Sequence, residues 1–320
     1  MKNRLNKSFM NKSIIIAIVT FLWMAVACTN QEEQLRHRAA ELCQHLPHPD
    51  SLEQSKDYLT PDFYTILDTL FHLPNHEAMD HEWLHYFVTN NGGAMTNCEV
   101  LSVEQSDPSH ALATIRVRQT WEDGSFDEEN DMEEHLLSME KVNGQWLLSD
   151  FDHHRQDCIR HIEINRKEQN LRDAINNYLV REKGKLYRQG DVCIPTLLMV
   201  ATEEIDSTQA RVWCETHLYW YDIVGDTLKA ISGGTHSGCM TIQQKNDKFL
   251  VTNFEQTTDG AGNEARAKRI FAQHYDIYQN IHSHHDVAEA VRKEQLCEYI
   301  QRHHRSIRYY QDYGQEAVEL

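Results

Sequence analysis

What this sequence lacks narrows it first. It has no G-x-S-x-G turn, no Walker loop and no G-x-G-x-x-G run, so the usual short signatures of a nucleophile elbow and of phosphate or dinucleotide binding are missing. No C-x-x-C pair occurs among its eight cysteines. Positive charge is scarce: 31 Lys and Arg stand against 49 Asp and Glu, a net charge of −18. Such a surface repels nucleic acid and anionic lipid. Beyond the N-terminal region no apolar run reaches the roughly 20 residues of a membrane-spanning helix.

What is present begins at the N-terminus. Lys2, Arg4, Lys7 and Lys12 are followed by the apolar run Ser13 to Ala27, with no acid among them. That run is short for a membrane span and right for a signal-peptide core. It ends in Ala25-Val26-Ala27-Cys28, which resembles a bacterial lipobox. The resemblance implies a diacylglyceryl group on Cys28, cleavage before it and acylation, for instance by palmitate, of the new amine. Each buried methylene contributes about 0.8 kcal/mol, so two or three chains hold a protein on a membrane where one does not. An ordinary secretory signal cut after Ala27, or an uncleaved anchor, is the alternative. Loss of residues 1–27 removes those four basic residues and takes the net charge from −18 to −22. Residues 28–33 form a polar tether. The non-Asp residue after Cys28 resembles an outer-membrane sorting signal, and Glu32-Glu33 resembles the acidic tag of surface-exported lipoproteins. The expected location is the cell envelope, on the outer membrane, facing the periplasm or the surface. Cys28 aside, seven cysteines remain. A chain this long buries enough apolar surface without staples, so buried free thiols are expected, with one or two disulfides as the alternative.

The body of the chain repeats itself. Leu136–Asp152, LLSMEKVNGQWLLSDFD, aligns with residues 239–255, CMTIQQKNDKFLVTNFE, at a constant offset of 103. Trp146 meets Phe249, Leu148 meets Val251, Ser149 meets Thr252 and Phe151 meets Phe254. Each copy reads as a strand, a tight turn (Asn143-Gly144 and Asn246-Asp247) and a second strand. An alternating strand precedes each: Ala111–Trp121 with Ala113, Ile115, Val117 and Trp121 on one face, and Gln209–Tyr221 with Ala210, Val212, Cys214, Leu218 and Trp220 on one face. Helical stripes open both copies, Leu35, Ala39, Leu42 and Leu46 in one and Leu171, Ile175, Tyr178 and Leu179 in the other. Two further stripes follow Gly262, from Ala267 to Tyr278 and from Val287 to His303, and read as two closing helices.

Helices followed by long antiparallel strands make an α+β unit. The ending KVNGQWLLSDFD resembles the last hairpin of NTF2-like (cystatin-like, SnoaL-like) domains. That resemblance implies two tandem units, each with helices packed on a strongly curved antiparallel sheet around a conical pocket, with extra C-terminal helices. The expected boundaries are 34–160 and 161–310, with 311–320 a frayed tail. The second copy also resembles an uncharacterised bacterial extracellular module seen in the tails of BlaR-type sensors, through Ile231-Ser232-Gly233-Gly234, Val251-Thr252-Asn253-Phe254, Thr258-Asp259-Gly260 and Arg269-Ile270-Phe271. No catalytic residues come with it.

Several motifs invite chemistry. His81-Glu82-Trp83-Leu84-His85 carries the zinc-peptidase spacing, two ligands one helical turn apart with a general base between them. In a chain with 20 histidines the pattern arises readily by accident. Val88 and Asn91 stand where the extended motif needs Gly and His, so the segment reads as a short docking helix with Trp83 buried. The runs DFDHHRQDCIRH and His282–Asp286 lack metal-site spacing and read as linker, helix surface and turn. Gly233–Gly238 is glycine-rich but precedes strand sequence, so it reads as a bend or bulge in a curved sheet. The aromatic strands offer the best case for binding, through a pocket lined by Trp146 and Leu148 or by Leu218 and Trp220. The sequence therefore points to a non-enzymatic envelope protein that binds a protein or small ligand, with no cofactor, no metal and no catalytic residue. The alternatives are a ketosteroid-isomerase-like enzyme using Asp150 and, remotely, a zinc peptidase through His81, Glu82 and His85.

Overall fold

The structure is a computed structural model and describes residues 32–42, 52–73, 94–120, 125, 132–246, 248–258, 260, 262–303 and 305–320. No helix among the described residues is long and apolar enough to cross a membrane. The chain divides into two compact units, Met1–Asn165 and Arg166–Leu320. Both mix helices with a wholly or mainly antiparallel sheet, so the class is α+β.

In the first unit, helix α1 (residues 32–42) and helix α2 (Pro61–Phe71) precede a four-stranded meander. Its strands are β1 (Ala94–Gln105), β2 (His110–Thr120), β3 (Met132–Val142) and β4 (Gln145–Phe151). Thr60 caps α2 by accepting the amide of Phe63, and Pro61 sits at its first position, where a missing N–H costs nothing. Bulges in β1 bend the sheet. The expected faces do meet: Leu35, Ala39 and Leu42 pack with Phe63, Leu67, Ala113, Ile115, Leu137 and Leu148 in one core. Leu46 and Trp121 lie outside the described residues.

Helix α3 (Arg155–Tyr178) contains the unit boundary. Its first turns bury Cys158 and Ile162 in the first core, and its end buries Ile175 and Leu179 in the second. A wider π turn (Leu179–Lys183) continues it. The second unit then builds a larger sheet from β5 (Val192–Asp206), β6 (Gln209–Val224), β7 (Thr227–Lys245) and β8 (Lys248–Gln256). Among the described residues β5 is an edge strand, paired to β6 alone.

Both faces of this sheet are covered. Val212, Cys214 and Leu218 of β6 face Ile175 and Leu179. Trp213 and Tyr221 point the other way, into cores built with three C-terminal helices, α4 (Asn263–Phe271), α5 (Tyr275–Ser283) and α6 (His285–Arg302). Sequence periodicity suggests two helices there. Ala272, at φ +45°, breaks the first stripe in two. Burial on both faces also explains why β5, VCIPTLLMVA, is a nearly continuous apolar run that shows no alternation.

The C-terminal segment contributes two short strands. β9 (Tyr309–Gln311) pairs parallel with β7, and β10 (Val318–Glu319) pairs with β9. The buried Arg292 holds Asp312 through two bonds of 2.6 and 2.8 Å and donates to the Tyr221 hydroxyl at 3.0 Å. Its guanidinium lies 4.2 Å from the Tyr219 ring centre and 5.0 Å from that of Tyr310.

The two hairpins keep one register. Val142 pairs Gln145 and Lys245 pairs Lys248; Met139 pairs Leu148 and Ile242 pairs Val251. Each has its bulge at the same place, after Ser138 and after Thr241. In the bulge Ser149 Oγ donates to Ser138 O at 3.0 Å, and Thr252 Oγ1 donates to Thr241 O at 3.2 Å. Asn143 and Asn246 both take positive φ, as the tight turn demands. The glycines of β7 serve close approach. A Cβ at Gly233 would lie 2.2 Å from Leu218 O, and one at Gly238 would lie 2.1 Å from Glu255 O. The bulge on this pair of strands falls beside them, at Ile231.

Candidate functional site

Cys28, His81, Glu82 and His85 lie outside the described residues. Asp150 is half-buried, and its Oδ1 accepts the amides of Phe151 and Arg155 at 2.8 Å each. It therefore shapes the turn into α3 and caps that helix. The two candidate pairs, Trp146 with Leu148 and Leu218 with Trp220, lie one in each unit. Leu148 and Leu218 are fully buried in the cores of their own units. Trp146 is buried under α1 and forms part of an open cleft with His37, Arg38 and Glu41. Trp220 donates from Nε1 to Gly184 O at 3.0 Å, with its ring laid on that glycine. The run DFDHHRQDCIRH is likewise structural. Asp152 holds the buried His135 at 2.6 Å. Cys158 is fully buried, and burial pushes its thiol up to about 12, the reverse of what a thiolate ligand needs.

On β6 a carboxylate is buried among imidazoles. Glu215 is 3% exposed. His217 Nε2 lies 3.0 Å from its Oε1, and His282 Nδ1 lies 2.7 Å from its Oε2, with Ser237 Oγ 3.4 Å from the same oxygen. Burial acts to raise the Glu215 pKa, but the hydrogen bonds of His217 and His282 outweigh it and hold it below the ordinary value. Both oxygens are engaged. The cluster ties α5 to the sheet through His282, whose ring stacks on Tyr278 at 5.3 Å.

The second unit also contains a cavity of about 420 Å³ between α3, the edge strand β5 and α6. Gln169, Arg172, Asp173, Asn176 and Asn177 enter it from α3, and Gln295, Glu298, Tyr299 and Arg302 from α6, with His303 just past its end. Each set recurs at three and four residues, which puts it on one helix face. Arg302 and Gln169 both bond Asp173 Oδ1, at 2.9 and 3.0 Å. Burial raises the Glu298 pKa above the ordinary value, against Arg302 and Arg172, which lower it. The Oδ1 of Asn176 is buried and has no hydrogen-bond partner among the described residues. The volume falls within the range of about 300–1,000 Å³ that small-molecule sites occupy. This site escapes a search for apolar stripes, because its signal is a polar one: Gln, Arg-Asp and Asn-Asn on α3, and Gln, Glu-Tyr and Arg on α6, at the same helical spacing.

No family model matches the chain, and no curated protein matches it. One solved structure, described as an Ntf2 like protein involved in plasmid conjugation, aligns with 72% of this chain and 98% of its own at 10% identity. Its TM-score is 0.22, a likeness too low to carry an argument.

Proposed function

We propose that this chain is a lipid-anchored envelope protein, held at the outer membrane through acylated Cys28, whose second unit binds a small ligand. The observation that carries the binding reading is the cavity beside β5, where two helices each present a polar face. The polar lining is half-buried to exposed, but Asn176 Oδ1 within it is buried without a partner among the described residues, and a ligand can supply one. The repeated register, bulge and hydroxyl bond support reading the two units as tandem copies of one NTF2-like design. Cys98 is disulfide-bonded, which fits an oxidising compartment outside the cytoplasm. Asp150 serves as a cap, and that favours a binding role over acid–base catalysis at that position.

Ligand-induced stabilisation tests the binding reading. A small-molecule extract of the cell envelope is expected to raise the Tm of the Cys28→Ser chain. Asn177→Trp changes an exposed residue on the cavity wall and is expected to abolish the shift. An extract that shifts neither protein, or both equally, overturns the reading. Labelled palmitate entering the wild-type chain but not Cys28→Ser tests the anchor separately.

A further inference from the structure

We infer that the cavity beside β5 takes a neutral, polyhydroxylated ligand of mono- or disaccharide size. This rests on the binding reading above and goes on to name the chemistry.

The edge strand is closed to peptide addition. Gln295 Oε1 accepts the Leu197 amide at 2.8 Å, and its Nε2 donates to the Leu197 carbonyl at 3.0 Å. These backbone groups therefore point away from β6. By the two-residue period of a strand, Pro195 and Cys193 point the same way. Pro195 has no N–H to offer, so an incoming strand would find one position taken and the next without its donor. An extended peptide is excluded, and a compact ligand remains.

The lining selects among compact ligands. Arg302 is spent on Asp173, and the remaining charges, Arg172 and Glu298, are of opposite sign. The cavity has no charge excess to attract an ion. An aliphatic ligand would leave Asn176 Oδ1 unpaired for good. Both bonds to Asp173 land on Oδ1, so its Oδ2 is a second available acceptor. Acceptors placed beside guanidinium donors suit hydroxyl groups, each of which donates and accepts at once. Tyr299 and His303 stack with centroids 4.1 Å apart and add a flat aromatic surface for the C–H face of a pyranose.

The test is calorimetric titration of the Cys28→Ser chain with glucose, galactose, N-acetylglucosamine and maltose, beside glucuronate, trialanine and octanoate. At least one neutral sugar is expected to bind. Asn176→Leu is expected to weaken it by about tenfold or more, since an unpaired site hydroxyl then replaces a bonded one. Asn177→Trp is expected to abolish binding with an unchanged circular dichroism spectrum, which separates loss of site from loss of fold. If glucuronate, trialanine or octanoate binds in an Asn177-sensitive way and no neutral sugar does, the sugar inference falls and the binding reading stands. Sugar binding that neither substitution alters also overturns the inference. If no probe binds and the envelope extract gives no stabilisation, both fall together.

Discussion

Gln295 clasps Leu197 by both backbone groups, its side-chain amide standing in for the strand that β5 lacks. Leu197 is 3% exposed, and the amide of Gln295 is the partner of both its outward backbone groups. Gln295→Leu should cost about 1–3 kcal/mol, the usual penalty for leaving buried polar groups unpaired. Urea unfolding measures the loss. The freed edge should also show as concentration-dependent association by light scattering.

The matched hairpins predict unequal losses. Trp146 is 5% exposed, whereas its counterpart Phe249 is only half-buried. Trp146→Ala should destabilise by about 3–5 kcal/mol. Phe249→Ala should cost clearly less, about 1–2 kcal/mol, because part of the ring is already in water. Equal losses in chemical denaturation would count against this reading of the two cores.

Arg292 should govern the C-terminal strands. Removing a buried partner typically costs about 3–5 kcal/mol, but Asp312 is 40% exposed on its side chain and can regain water. Arg292→Leu should therefore lie near the lower end of that range. Limited proteolysis should then cut between Arg305 and Leu320 far faster than in the wild type. An unchanged digestion rate would mean that β9 holds through its backbone pairing alone.

Glu215 makes stability fall in acid. Its pKa is depressed in the folded protein, so its contribution is present above the ordinary carboxylate value of about 4.3 and is lost as pH falls through the lower folded value. Glu215→Gln should flatten the acid limb of a Tm-versus-pH profile and lower Tm at neutral pH, where Glu215 is ionised. A variant that keeps the wild-type acid limb would place the sensitivity elsewhere.

Thiol labelling should divide the cysteines. Cys158, Cys193, Cys214, Cys239 and Cys297 are free, whereas Cys98 is disulfide-bonded. Alkylation in denaturant without reductant should modify those five and spare Cys98. A labelled Cys98 in the wild-type protein would remove the support for an oxidising compartment.

Local rules were enough for the elements whose faces differ. The alternation of Ala113 and Ile115, the Asn143-Gly144 turn and the stripe Leu35-Ala39-Leu42 each depend on neighbours within a few residues, and the offset of 103 carries down to the bulge beside Ser149 and Thr252. Lipidation at Cys28 and the HEWLH segment stay at the level of sequence, since both lie outside the described residues. Tertiary structure alone decided the rest. β5 is buried on both faces, so no period marks it. That Asp150 Oδ1 accepts the amides of Phe151 and Arg155 could not be read from the sequence. Arg292 and Asp312 are 20 residues apart, and nothing local predicts their pairing. The cavity requires α3 and α6, more than 100 residues apart, to turn polar faces toward the same strand edge. Sequence periodicity shows which face of a helix is apolar, but only packing determines what the opposite, polar face will meet.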